Sequence, residues 1–583
     1  MLKFASRSQL NRLKLLIAVC FWWTAYVVSA QNSFQLRIET TKGNLKLQHE
    51  YDLPEEVNDS TEAIFQLQRL INRLQSDGYL LASVDQIVKD SSSITGLIHI
   101  GNQFRWGHLD IGKLPKELSR SVTTRGRKLI TDDIDRSFSK ILSESNNSGY
   151  PFASVKLDSV RIIDSQLFAS VDYQSGPLIR FDSLNLKSSS AAERRYLSNY
   201  LRIRRGDRYS AKKVNQIPDY FENLAYYELV GPVTIKFHNQ DALVGFELEK
   251  IKANQFDGII GLLPNASREG KALLTGEINL QLLNLFSSGK ELRFHWQRLR
   301  EETQLLDLSV KLPHFLGSDI DLFGDYYQLK EDTTFINRNA RIGLGLRMSP
   351  RSEAALFTDF KTANLLSSGE GVTISNLENV DFDLTKYGLS YSYNSLSYTN
   401  PKDQGLRLSS EISVGSRSIN PSNDIDDSVF DNLDLKSTFY DFEIELSYQI
   451  ALSRSITFFN EVSSGHLFSS NIFNNDMFRL GGINSLRGFN ENQFFAKNYL
   501  LSNSEFRLHF EPRSFLFFFY DHAYIRTVQL SNVFEDGPVG FGAGLQLNTG
   551  VGDLKLAYAL GRTRNQSVDL NQAKIHFGLI NRF

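Results

Sequence analysis

Phe442-Glu443-Ile444-Glu445-Leu446-Ser447-Tyr448-Gln449-Ile450 alternates apolar and polar side chains without a break. A period of two marks an extended strand with one apolar and one polar face. The same pattern lies on either side of it. Leu406, Leu408, Ile412 and Val414 alternate with Arg407, Ser409, Glu411 and Ser413, and Phe506, Leu508 and Phe510 with Glu505, Arg507 and His509. Helical periodicity gives way to this alternation from about residue 253 onward. In a barrel set in a bilayer the apolar set faces lipid and the polar set a wet interior.

Division at turn residues gives about sixteen strands, the first near 253–264 and the last near 572–583. Parity gives a separate check. A chain that enters from the periplasm makes its extracellular connections after odd-numbered strands. The longest connections, 365–382, 417–434 and 468–496, follow the seventh, ninth and eleventh strands. Connections after even strands are short, as in Ser349-Pro350-Arg351, Ala451-Leu452-Ser453-Arg454 and Glu511-Pro512-Arg513-Ser514. Short inner turns with long outer loops are the usual asymmetry of such barrels. The sequence predicts α+β repeats followed by an all-β, 16-stranded antiparallel transmembrane barrel.

Composition agrees. The 583 residues include 42 Phe, 23 Tyr and 38 Gly against 13 Pro, and the net charge is −2, which gives no basic field for nucleic acid. The first acidic residue is Glu39; before it come Lys3, Arg7, Arg12 and Lys14, the apolar run Leu15 to Val28, and Val28-Ser29-Ala30. That order predicts a secretory signal peptide over 1–30. The one cysteine, Cys20, falls inside it, so a chain cut after Ala30 has neither disulfide nor thiolate chemistry.

Residues 31–252 mix helix and strand signals and repeat. Gly78-Tyr79-Leu80-Leu81-Ala82-Ser83-Val84 returns as Gly149-Tyr150-Pro151-Phe152-Ala153-Ser154-Val155, and more loosely as Leu224-Ala225-Tyr226-Tyr227-Glu228-Leu229-Val230. An amphipathic helical run precedes each copy: Ile64, Leu67, Leu70, Ile71 and Leu74; Ile134, Phe138, Ile141 and Leu142; Val214, Ile217, Phe221 and Leu224. Two strand-like runs follow, Ser154 to Ile163 and Leu167 to Gln174 in the second copy. The expected units are 31–102, 103–177 and 178–252, each ordered strand, helix, helix, strand, strand. A small sheet of this kind leaves an open edge that can accept an extended peptide. The plainer role is that of a spacer.

The strand-poor segment between the eleventh and twelfth runs holds Gly481-Gly482-Ile483-Asn484-Ser485-Leu486-Arg487-Gly488-Phe489. A loop of this kind can fold into the lumen, where a desolvated guanidinium needs carboxylates. Glu505, and Asp521 in Phe519-Tyr520-Asp521, are candidate partners. The Arg487-Gly488-Phe489 motif, in the sixth outer loop and behind three repeats, resembles the BamA/TamA family of outer-membrane assembly barrels, bacterial surface antigens with POTRA repeats. Leu486 stands where the family usually has Val or Ile. The resemblance covers nearly all of the chain after Ala30, and three POTRA units place it nearest TamA. It implies three POTRA modules over the units above, a barrel over 253–583, and a loop arginine held by Glu505 and Asp521. It also implies outer-membrane insertion or translocation of unfolded client proteins through a lateral seam, with a TamB-like periplasm-spanning partner. Two-partner-secretion pores of the same family usually carry two POTRA units behind a plug helix, and no such helix is read after Ala30. A passive porin would need neither repeats nor a buried loop arginine.

The chain ends in His576-Phe577-Gly578-Leu579-Ile580-Asn581-Arg582-Phe583, which resembles the C-terminal signal of such barrels through His576, Gly578 and Phe583. Asp424-Ile425-Asp426-Asp427 is an acidic run in an outer loop, suited to solvent or to divalent ions bridging lipopolysaccharide. Metal-protease, P-loop and nucleophile-elbow motifs are absent, so the sequence predicts no enzyme, no cofactor and no metal site. Gly540-Phe541-Gly542-Ala543-Gly544 reads as glycine on a crowded strand rather than a dinucleotide loop.

Overall fold

The alternation of the C-terminal part is realised as a wall of sixteen antiparallel strands. The computed structural model describes residues 33–582 except 41–46, 113, 121, 123–129, 187–189, 265–271, 299–302, 367–376, 397–403, 423–424, 432, 530–531 and 550–551. The expected signal peptide and Phe583 lie outside the described residues. The chain divides after Leu178 into two units.

The first unit holds two small α+β sheets. In one, Phe34–Thr40 runs parallel to Ser93–His99, which pairs antiparallel with the edge strand Ser83–Lys89. In the other, Arg105–Asp110 runs parallel to Gln166–Gln174, with Ser154–Ile163 at the edge. The repeated Gly-Tyr has a local cause. Gly78 and Gly149 end helices Ser60–Ser76 and Thr131–Asn147 with φ of +92° and +102°. That left-handed turn lets the N–H of Tyr79 donate to Leu74 O and that of Tyr150 to Ser145 O, each at 2.9 Å. Leu67, Leu70, Ile71 and Leu74 are buried on the first helix as their spacing requires. Ile64 is not: Ala63 occupies the inward position and Ile64 lies 53% exposed.

The second unit holds the third α+β module and the barrel. Arg180–Leu186 runs parallel to Asp241–Lys250, with Tyr227–His238 at the edge. Val214, Ile217, Phe221 and Leu224 are all buried in its core, although the helix breaks in two at Gln216 before Pro218. Arg204 meets Asp319 at 2.6 Å, Arg351 meets Asp219 at 3.2 Å, and the Arg347 guanidinium lies 4.3 Å above the Tyr200 ring. These contacts seat the module on the inner rim of the barrel.

The wall strands are Gln255–Pro264, Ala272–Leu285, Lys290–Arg298, Gln304–Leu312, Ile320–Glu331, Phe335–Ser349, Ser352–Leu365 and Phe382–Asn394, then Gly405–Ile419, Lys436–Ala451, Ile456–Phe468, Asn498–His509, Phe515–Gln529, a fourteenth, Gly552–Arg562 and Lys574–Arg582. The fourteenth is split at Gly537 and Pro538 into Asn532–Asp536 and Val539–Thr549, both paired to the thirteenth. The split follows from Pro538, which has no N–H for the ladder. On the tenth strand Tyr440 and Ile450 are exposed toward lipid while Ser447 and Gln449 are buried inward, as the alternation predicts. No helix among the described residues is long and apolar enough to cross a membrane.

Closure is uneven. Among the described residues the first and second strands share ten paired positions, whereas the first and last share two, Gln255 with Arg582 and Phe256 with Asn581. The strands at this seam span ten and nine positions among the described residues, against fifteen and sixteen for the sixth and tenth across the barrel.

Candidate functional site

The long connection after the eleventh strand is not wholly irregular. Phe478–Leu480 pairs with Phe494–Ala496, and this short hairpin carries the Arg487 stretch into the barrel. Its apolar residues were legible, but the pairing depends on a fold-back across thirteen intervening residues that no periodicity announces. Leu486, Arg487 and Phe489 are 0%, 3% and 3% exposed.

Arg487 is brought together with both expected carboxylates. Its Nε and Nη2 donate to the two oxygens of Asp521 at 2.7 and 2.6 Å, and Nη1 donates to Glu505 Oε1 at 2.5 Å. Its backbone N–H adds a bond to Asp521 Oδ2 at 3.2 Å. The forked contact with Asp521 uses the planar geometry of the guanidinium, which a lysine would not reproduce. The guanidinium lies 3.9 Å from the Phe519 ring centre. Phe517, Phe519 and Asp521 are all buried, while Leu516, Phe518 and Tyr520 between them are exposed. The doubly apolar run 515–521 thus splits into a lipid face and an aromatic floor beneath the loop.

The glycines across the wall make room. A Cβ on Gly540 would lie 1.9 Å from the carbonyl oxygen of Arg487, and one on Gly544 would lie 2.3 Å from the Phe517 ring. The Gly540–Gly544 run is therefore a shelf for the loop and its floor, the crowded-strand reading. A Cβ on Gly488 would lie 2.6 Å from the Leu560 carbonyl on the fifteenth strand, and the Phe489 ring packs edge-on to Phe494 at 5.0 Å. On the last strand His576 is half-buried between exposed Ile575 and Phe577.

Three features escaped the sequence. Arg507 donates to the second oxygen of Glu505 at 2.8 Å, so this carboxylate bridges two cations. Arg417 and Asp476 form a second pair, fully buried, at 2.6 Å, where the outer loops fold over the barrel. Arg341 grips Asp359 at 2.6 Å and Glu411 at 2.7 Å on the far wall. Inward parity was a signal for Arg341 and Arg507, but partners on other strands require the register.

A sixteen-strand wall with a lipid-facing apolar set, α+β modules ahead of it and an outer loop clasped inside defines a barrel of the outer-membrane type. Residues 284–583 match the Omp85 superfamily domain, and the chain belongs to that superfamily. Its members insert or translocate proteins at the outer membrane and are transport and assembly proteins rather than enzymes. The barrel sits in the outer membrane with its POTRA modules in the periplasm. The fold is similar to CdiB from Escherichia coli, at 14% identity and a TM-score of 0.54 over 90% of this chain and 98% of that one. CdiB from Acinetobacter baumannii gives 13%, 0.53, 90% and 98%. BamA from Haemophilus ducreyi lacking POTRA domains 1-3 gives 15% identity and a TM-score of 0.42 over 83% and 99%. No curated protein matches the sequence.

Proposed function

We propose that this chain is a TamA-like assembly factor that opens its first-to-last-strand seam to template client strands. The observation that carries the reading is the seam itself, two paired positions where the neighbouring pair of strands has ten. Above those positions the first strand offers an unpaired edge to an incoming strand. The short strands beside the seam would also thin the bilayer where a client enters. The Arg487 clasp braces the wall next to the seam and acts as a lid.

The three modules, assigned to 31–102, 103–177 and 178–252, dock clients or a TamB-like partner by strand addition. Support comes from their edge strands, which expose Ile87 and Val88, then Val160, Ile162 and Ile163, then Val230 and Phe237. The outer loops face lipopolysaccharide. Asp426 of the acidic run is committed to capping a short helical turn, so that run reads as ordinary loop. His576 and Gly578 belong, with Phe583, to a signal read by the cell's own barrel-assembly factor.

The likeness to CdiB supports a second reading, a two-partner-secretion pore. Such a pore opens through its lumen, and the clasp would then be its gate. One experiment separates them. Cysteines at Phe256 and Asn581, paired across the seam, would lock it on oxidation. Lost client insertion, restored by reduction, is the expected result. Normal insertion by the locked barrel refutes seam opening, and lumenal export by that barrel supports the pore.

A further inference from the structure

Two periplasmic turns carry bulky apolar residues where glycine or asparagine is ordinary. Phe286, between the second and third strands, has φ +57°, and Leu316, between the fourth and fifth, has φ +53°. Their side chains are 84% and 90% exposed, more than any other large apolar side chain among the described residues. Other residues of both turns are engaged on the third module. Asn284 Nδ2 donates to the Tyr227 hydroxyl at 3.1 Å, Gly289 abuts the Tyr196 ring, and the His314 ring lies 5.9 Å from it. The turns are thus clamped from one side while their apolar tips are held out from the other.

What the tips meet follows from their neighbours. The lipid-facing band runs down the adjoining strands to half-buried Leu312 and to Ile320, which is 39% exposed, on either side of the second turn. Elsewhere around the inner rim Leu452 and Phe510, each one residue past its strand, are 56% and 54% exposed, and neither is held out on a left-handed backbone. Beneath the second turn, Arg195 on helix Ala191–Tyr200 is exposed, and its guanidinium reaches within 3.8 Å of where a Gly317 Cβ would stand. Apolar tips beside a lipid-facing belt, with a cation at the base of the second, match the layering of acyl chains and phosphates in a bilayer interface.

We infer that Phe286 and Leu316 are membrane anchors that enter the periplasmic leaflet beside the seam, with Arg195 at the level of its lipid phosphates. They hold the third module against the membrane next to the first strands.

The chain suits a direct test, because Cys20 is its one cysteine. In a Cys20→Ser background, Phe286→Cys, Leu316→Cys and, as a water-exposed control, Gln240→Cys are each labelled with a nitrobenzoxadiazole dye. The full barrels are placed in phosphatidylethanolamine–phosphatidylglycerol nanodiscs, with heat-dependent gel migration confirming that each is folded. Brominated acyl chains should lower emission of the first two labels by about twofold and leave the third unchanged, while aqueous iodide does the reverse. Iodide quenching at Phe286 and Leu316 equal to that at Gln240 overturns the inference. So does shielding from both quenchers, which would mean that protein covers the tips. Replacing phosphatidylglycerol by phosphatidylcholine should weaken bromine quenching in the parent and not in an Arg195→Gln barrel; equal quenching in both lipids removes the role of Arg195.

Discussion

Replacing Arg487 by alanine should cost the barrel about 3–5 kcal/mol, the usual penalty for removing one partner of a buried ion pair. The geometry says where that cost falls. Glu505 keeps Arg507 on its other oxygen at 2.8 Å. Asp521 is fully buried and retains, of the contacts described, the backbone N–H of residue 487 at 3.2 Å. The loss therefore concentrates on Asp521. Glu505→Gln, which keeps an acceptor and leaves the fork to Asp521 intact, should cost only about 1–2 kcal/mol. The decisive variant is Arg487→Ala combined with Asp521→Asn. A neutral amide needs no counter-charge, so the double variant should be more stable than Arg487→Ala alone, with a coupling of about 2 kcal/mol. Urea unfolding in vesicles, read by loss of the fast-migrating folded band, measures the parent, these three variants and Asp521→Asn alone. An Arg487→Ala barrel within about 0.5 kcal/mol of the parent, the range of an ordinary surface change, would refute the reasoning. Strictly additive single effects would refute the unpaired-carboxylate account even if the barrel were weakened.

Three further outcomes are expected. Gly540→Ala puts a methyl group 1.9 Å from the Arg487 carbonyl oxygen and should expel the loop, so that trypsin cuts at Arg479 or Arg487; persistent resistance sinks the shelf role. Arg417→Ala should destabilise the outer loops by about 3–5 kcal/mol, and Arg417→Leu with Asp476→Leu should recover most of it, since a buried pair can be replaced by apolar side chains. Hydrogen exchange over 468–477 reads this, and equal exchange in parent and Arg417→Ala contradicts it. Burial raises the hydroxyls of Tyr196 and Tyr226 in the third module above the ordinary 10.0. Both are neutral in either state below about pH 10, but above it the unfolded chain alone loses its protons. Stability is thus intact below pH 10 and falls above it, by up to about 1.4 kcal/mol per pH unit per tyrosine. Absorbance at 295 nm should show these tyrosines ionising only with unfolding; reversible ionisation in the folded module counts against it.

The wall was legible because its physics is local. A strand exposed to lipid on one face and water on the other writes its period directly into residues such as Phe442–Ile450, and loop-length parity then numbers the strands. The Arg487 partners were legible for a related reason: Glu505 and Asp521 sit at inward positions of the next two strands, and a buried guanidinium must be neutralised. Arg417 with Asp476 was not legible. That pair joins a strand end to an outer loop with no period, and its burial depends on a roof assembled from three loops. The exposed Ile64 marks another limit. Helical spacing names a stripe of positions, but Ala63 on the same helix claims the inward place without looking apolar enough to be counted.

The clasp and the seam are better understood as one arrangement than as two features. Arg487 is tied to Glu505 on the twelfth strand and Asp521 on the thirteenth, its backbone rests on Gly540 of the fourteenth, and Gly488 touches Leu560 of the fifteenth. One loop thus binds four consecutive strands from inside. The last strand is joined to that plate by a ladder from Asp553 to Ala559, whereas the first strand holds it at two positions. Strain applied to such a barrel has one place to go. The inside strap makes sliding among the last strands costly, so on this proposal the wall would yield between the first strand and the last. On the seam-opening proposal, a strapped C-terminal plate beside a weak seam would confine opening to one lateral slit, the geometry that strand-by-strand templating requires. Without the strap the same strain would spread over several strand pairs, and the barrel would breathe without presenting a defined edge.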